Sequence, residues 1–184
     1  MKIHILLISI VLYVITFSCN KGTTASSDYD EALDDIVMGV YFGMEQKDFF
    51  DHCWELNQEG KTGHGTIGNM VMYPDSLNFD PKVIVNFYPK FEKNVISEMP
   101  FIFYFKAWAP WNKKELTQEK LYQQVIKFFE KKYDTTLEKQ DAPNGKHLHL
   151  KQMGSVMVRV YKDIDEMKVN ADIRHLKYMQ KKKE

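Results

Sequence analysis

Ser155-Val156-Met157-Val158-Arg159-Val160-Tyr161 sets a valine against a longer or polar side chain at every second position. That period of two is the mark of a strand with one buried and one wetter face. After the turn formers Asp163-Ile164-Asp165-Glu166, Met167–His175 repeats the pattern, with Val169, Ala171 and Ile173 against Lys168, Asn170, Asp172 and Arg174. Two such runs across a short polar link predict neighbouring antiparallel strands whose apolar sides face one core.

Working outward, Asn144-Gly145 is turn chemistry, and His147–Lys151 after it reads as a further strand. Upstream lies a helix whose start is well marked. Thr117 is its N-cap, with Leu116 and Leu121 flanking as a hydrophobic staple. Leu121, Val125, Phe128, Phe129 and Tyr133 form its apolar face, while Glu119 and Lys131-Lys132 suit the helix dipole. The first half has the same sequence of elements. A helix over Glu45–Gln58 places Phe49, Cys53 and Leu56 on one stripe, with Phe50 and Trp54 widening it, and Gly60 closes it. A glycine-rich link (Gly63, Gly65, Gly68) leads to strands over Asn69–Tyr73, Val83–Phe87 and Val95–Trp108, with Lys90–Asn94 as a turn and Pro100 at a bulge or edge. The expected fold is therefore α+β: an antiparallel sheet with helices packed on one face, in the order α-βββ-α-βββ. No residue-level repeat links the halves.

With 184 residues, 44% hydrophobic and 14% aromatic, the chain carries enough apolar material for a packed core, which argues against disorder along its length. Its net charge is zero, and loss of the first 18 residues leaves a single net negative charge. Such a domain has no general attraction for nucleic acid, and Lys181-Lys182-Lys183 reads as a solvated tail.

The N-terminus supplies an address. Lys2 precedes an apolar run, Ile3–Phe17, that is short and polar-edged for a membrane span but suited to a signal-peptide core. Thr16-Phe17-Ser18-Cys19 follows, then the polar stretch 20–27. The segment resembles the lipobox of bacterial lipoproteins, although Thr16 and Phe17 stand where a branched aliphatic and a small residue are usual. The resemblance implies cleavage after residue 18 and lipid, palmitate included, on Cys19. The expected organisation is a signal peptide over 1–18, a lipidated Cys19 and tether over 19–27, one α+β domain over 28–180, and a charged tail over 181–184. With Cys19 acylated, Cys53 has no disulfide partner, and its aromatic neighbours mark it as a small buried hydrophobe. The acids begin only at Asp28, which favours the periplasmic face of an outer membrane.

Phe42-Gly43-Met44 entering a helix whose first large apolar residue is Phe49 resembles the opening of the SmpA/OmlA outer-membrane lipoproteins and of the β-lactamase-inhibitor-protein-like domains. Glu45 stands where those carry a capping Ser or Thr. The resemblance implies a module that works by protein contact, on a small antiparallel sheet, and it carries over no binding residues. The lipobox, tether and aromatic-rich domain together resemble the lipoproteins of Gram-negative bacteria.

Chemistry-bearing motifs are sparse. Gly60-Lys61-Thr62 imitates the end of a phosphate-binding loop, but Glu55 stands where its first glycine belongs, and a helix precedes it. The acids from Asp28 to Asp35 lack the alternation and central glycine of a calcium loop. His147 and His149, two apart on a strand, make half a metal site with nothing to complete it; no metal and no cofactor are expected. Trp108 and Trp111 flank Ala109-Pro110 and are either a binding platform or packing at the junction of the halves. The reading ranks first a non-enzymatic, membrane-anchored module that binds another envelope protein. A glycan- or lipid-binding module using Trp108 and Trp111 comes second, and an enzyme built from scattered residues third.

Overall fold

The computed structural model describes residues 31–65, 68–107, 113–141, 147–165 and 167–179. A short helix α1 (Glu31–Asp34) runs into a hairpin of β1 (Asp35–Val37) and β2 (Val40–Tyr41). Helix α2 (Gln46–Gln58) is followed by β3 (Gly63–His64), β4 (Val71–Asp75), β5 (Val83–Phe87), β6 (Lys90–Glu92) and β7 (Val95–Phe105). Helix α3 (Gln118–Lys132) then leads to β8 (Glu138–Asp141), β9 (His147–Met153), β10 (Val156–Lys162) and β11 (Val169–His175). Among the described residues no helix is long and apolar enough to cross a membrane.

The fold class is the expected one. A large antiparallel sheet runs β3-β4-β5-β7-β11-β10-β9-β8, with β6 also paired to β7, and β1-β2 stand apart. The order has an internal logic. The first half contributes five strands after its helix and the second four, and the last strand of each meets the other in the middle, where Phe103 lies opposite Val169 and Glu98 opposite Arg174. The halves thus share an architecture without sharing residues.

Five short strands go beyond the expected three per half, and each lacks the pattern that betrays a strand. β8, Glu-Lys-Gln-Asp, is exposed throughout and exists by pairing with β9. β6 sits inside the stretch read as a turn; the actual turn is Lys93-Asn94, both at positive φ, which closes a two-residue hairpin into β7. β3 has two residues, and the β1-β2 hairpin bends at Met38-Gly39, again at positive φ. Pro100 falls where β5 pairing ends at Phe101 and β6 pairing begins at Glu98, beside a register shift, so no β5–β6 ladder passes it on that side.

The core occupies one face. Val83, Val85 and Phe87 of β5, Phe101, Phe103 and Phe105 of β7, Val156, Val158 and Val160 of β10, and Val169, Ala171 and Ile173 of β11 form one buried cluster. Helix α3 covers it. Phe129 sets its ring nearly perpendicular to Phe103 and edge-on to Phe101, with Leu121 and Val125 beside it. The Thr117 cap forms as expected, its hydroxyl oxygen accepting the Lys120 N–H at 3.2 Å, and both staple leucines are buried. Helix α2 adds Phe49 to the same cluster, and its start has no side-chain cap at Glu45. Two parts of its expected stripe turn outward: Trp54 is 65% exposed and Phe50 44%. Their spacing from Phe49 is one and five positions, which swings them off the face that Phe49 and Leu56 bury.

The two kinds of contact on α3 differ in worth. Replacing Phe129→Ala removes a fully buried ring and is expected to cost about 3–5 kcal/mol, while Thr117→Ala should cost about 1 kcal/mol. Urea unfolding followed by circular dichroism checks both. Equal losses would contradict this account of the helix.

Candidate functional site

Three sequence candidates, Cys19, Trp108 and Trp111, lie outside the described residues. Of the histidine pair, only the side chain of His149 is described. It turns toward α3, where its Nδ1 meets the Tyr122 hydroxyl at 2.8 Å, with the rings 5.4 Å apart. Burial lowers the His149 pKa and pushes that of Tyr122 up to about 12, helped by the Glu119 charge. A neutral imidazole hydrogen-bonded to a neutral phenol is packing chemistry. Among the described residues no three His, Cys, Asp or Glu side chains are placed to hold a metal ion. Cys53 packs against the core, and burial lifts its thiol to about 11, which leaves little thiolate at neutral pH. Gly60-Lys61 ends α2 at positive φ, with the Gly60 and Lys61 N–H groups donating to the carbonyls of Asn57 and Leu56.

One acid–base pair escaped the sequence reading. His175 Nε2 lies 3.2 Å from Asp34 Oδ1, and both side chains are almost fully buried. Phe42 and Tyr178 pack against the imidazole at 5.4 and 4.7 Å. No sequence signal joins residues so far apart. The pair fastens the first described segment to strand β11.

The more telling geometry is on the sheet face opposite the helices. Pairing places Glu98, Pro100, Ile102 and Tyr104 of β7 beside Asn170, Asp172 and Arg174 of β11, and these beside Met157, Arg159 and Tyr161 of β10. All are off the core cluster. Arg159 grips Asp172 with a fork, Nε to Oδ1 at 2.9 Å and Nη2 to Oδ2 at 2.8 Å. Arg174 bridges onward, Nε to Asp172 at 3.0 Å and Nη2 to Glu98 at 3.3 Å, and Lys90 reaches Glu98 at 2.9 Å. Five charges of alternating sign therefore run sideways across four strands. Burial opposes the Arg159 charge, but the Asp172 bonds outweigh it and raise its pKa. The carboxylates are the sunken members, Asp172 only 2% exposed, and the long cations cover them. Around this chain lie half-buried Met157, Tyr161, Leu148, Leu150, Ile102 and Tyr104. The sequence pattern had set Met157 and Tyr161 on the wetter side of their strand, and it missed that they assemble with residues of β7 and β9 into one mixed surface.

Two hollows open on the molecule. One, of about 590 Å³, lies between the β1-β2 hairpin, the β4-β5 connection and the end of α3. Several of its polar groups are already engaged: Lys132 pairs with Asp35 at 2.5 Å, and Asp75 accepts the N–H groups of Leu77 and Asn78. The other, of about 630 Å³, lies on the open face beside Ile84 and Tyr104.

Two outcomes follow from these charges. His175 and His149 have folded pKa values below the ordinary 6.5, so the unfolded chain binds their protons more readily. Stability is complete above that value and falls as pH drops below it; His175→Gln should flatten the decline between pH 7.5 and 5.5 in urea unfolding. A slope unchanged by the substitution would contradict this. Separately, Arg159→Met should cost about 1–3 kcal/mol, because Asp172 loses two of its hydrogen bonds, while Lys90→Met, at the exposed end, should cost under about 1 kcal/mol. The same unfolding assay separates them.

Comparison of the chain with protein-family models, with curated proteins and with solved structures finds no match, and the surface has to be read from its own geometry.

Proposed function

We propose that the chain is an exported, non-enzymatic lipoprotein that is held to a bacterial outer membrane through Cys19, facing the periplasm, and binds another envelope protein with its open sheet face. The observation that carries the reading is the division of the sheet. The buried residues of α3 and Phe49 of α2 join one cluster, and the other face presents aromatic, methionine and leucine side chains around a chain of paired charges. Half-buried aromatic and methionine side chains ringed by polar groups are the composition of protein interfaces. The pairing within the chain matters too, although its three cations and two anions leave one net positive charge. Charges already paired need no desolvation without compensation when a partner docks, so the cost of covering them is low.

The lipid anchor supports the reading by its physical effect. A tether of eight residues after Cys19 keeps the domain within a few nanometres of the bilayer, which raises its effective concentration toward anything else held there. The Phe42-Gly43-Met44 opening agrees with contact-based modules, and Met44 and Phe42 are both core residues.

The reading is tested by site-specific photocrosslinking in the native envelope. A photoreactive residue at Met157, Tyr161 or Leu150 is expected to give one discrete adduct that Arg159→Glu abolishes. The same residue at Gln123 on the exposed side of α3 should give none. Adducts of equal yield from both faces, or none from the sheet, would sink the proposal. In the same strain Cys19→Ala should move the protein from the membrane to the soluble fraction.

A further inference from the structure

We infer that the hollow beside Ile84 and Tyr104 is a binding site for a single-chain fatty carboxylate. It is floored by Met72, Pro74 and Ile84 from the end of the first-half strands, walled by Tyr104 and Met167, and open to solvent on the helix-free face. A volume of about 630 Å³ falls within the ordinary range for small-ligand sites. Ile84 is the clearest sign that this is a distinct apolar surface. It is buried, yet it stands outside the core cluster that holds its neighbours Val83 and Val85.

The charge at its rim selects the ligand. Lys106 and Lys168 are the charged residues among the described lining, and no acid joins them there. Lys168 is already held by Asp165 at 2.8 Å, which raises its pKa through that hydrogen bond. Lys106 makes no ion pair among the described residues and is exposed. One uncommitted ammonium above an apolar trough balances one negative charge. A carboxylate meets that requirement; a phosphate headgroup calls for a fuller set of donors than one lysine supplies. Met72 and Met167 are unbranched and flexible, so the walls can follow an acyl chain that has no fixed shape. The site shares a sheet face with the proposed protein interface but does not rest on it: a failed crosslink leaves the trough in place.

The test uses the full chain in zwitterionic lipid nanodiscs, with carbon-13 methyl methionine and the signals of Met72 and Met167 assigned by Met→Leu replacement. Dodecanoate is expected to shift both methyl signals saturably, and dodecanol, with the same tail and no charge, to bind about tenfold more weakly, a difference of about 1.4 kcal/mol. Lys106→Glu should weaken dodecanoate by a similar factor, and Met167→Asp should abolish the response, both at surface positions that leave the core intact. Dodecyl phosphate binding more tightly than dodecanoate would overturn the choice of headgroup. No saturable shift at either methyl, or an equal response to acid and alcohol, would overturn the site. Contacts from the Trp108 or Trp111 rings to these methyls that dodecanoate fails to displace would show that the chain fills its own trough, and would overturn it equally.

Discussion

Where β7 lies against β11, six residue pairs from Glu98–Arg174 to Phe103–Val169 hold the two halves in one sheet, and the remaining layers take their positions from that seam. On one side of it Phe101, Phe103, Ala171 and Ile173 offer the surface on which α3 sets Phe129. On the other, Glu98, Asp172 and Arg174 are brought within reach of one another. A slip of one residue would send the phenylalanines to water and the carboxylates into the core. Hydrophobic burial on one face and charge pairing on the other therefore vote for the same register, and each makes the other's geometry sharper.

That double demand explains the uneven character of the surface. A strand that is apolar on both faces would be an aggregation hazard when one face stays uncovered. Here an ionic chain crosses the uncovered face and divides its apolar residues, with Tyr104, Ile84 and Met72 to one side and Leu150 and Tyr161 to the other. The edges are treated similarly: β8 shows Glu138, Lys139, Gln140 and Asp141 to solvent, and β3 has only two residues. These edges restrict where another chain can add by strand pairing.

Much of the architecture was legible because α3, β5, β10 and β11 carry periodicity strong enough to read without context. Val83–Phe87 was placed to the residue, and Thr117 was placed as cap with its staple. What escaped was held by pairing alone. β8 has no apolar alternation, β6 hides in what looks like a turn, and Trp54, read as widening the stripe of Phe49, stands five positions on and points away from the core. The candidate site was less legible still. Arg159, Asp172 and Glu98 each read as polar residues on strands, and their convergence depends on the order β7-β11-β10, which joins distant stretches. Asp34 and His175 are farther apart in sequence and gave no signal at all.

The final strand in sequence, Val169–His175, occupies an interior lane of the sheet, between β7 and β10. A chain exported amino end first, as the Cys19 proposal has it, delivers that strand last. Until then β7 has no β11 to pair with, and Phe101 and Phe103 lack one lateral neighbour. Such late, long-range closure makes folding slow relative to local structure. A chain stopped before Val169 then lacks the seam between the halves and keeps only the packing of α3 on Phe101 and Phe103 to join them.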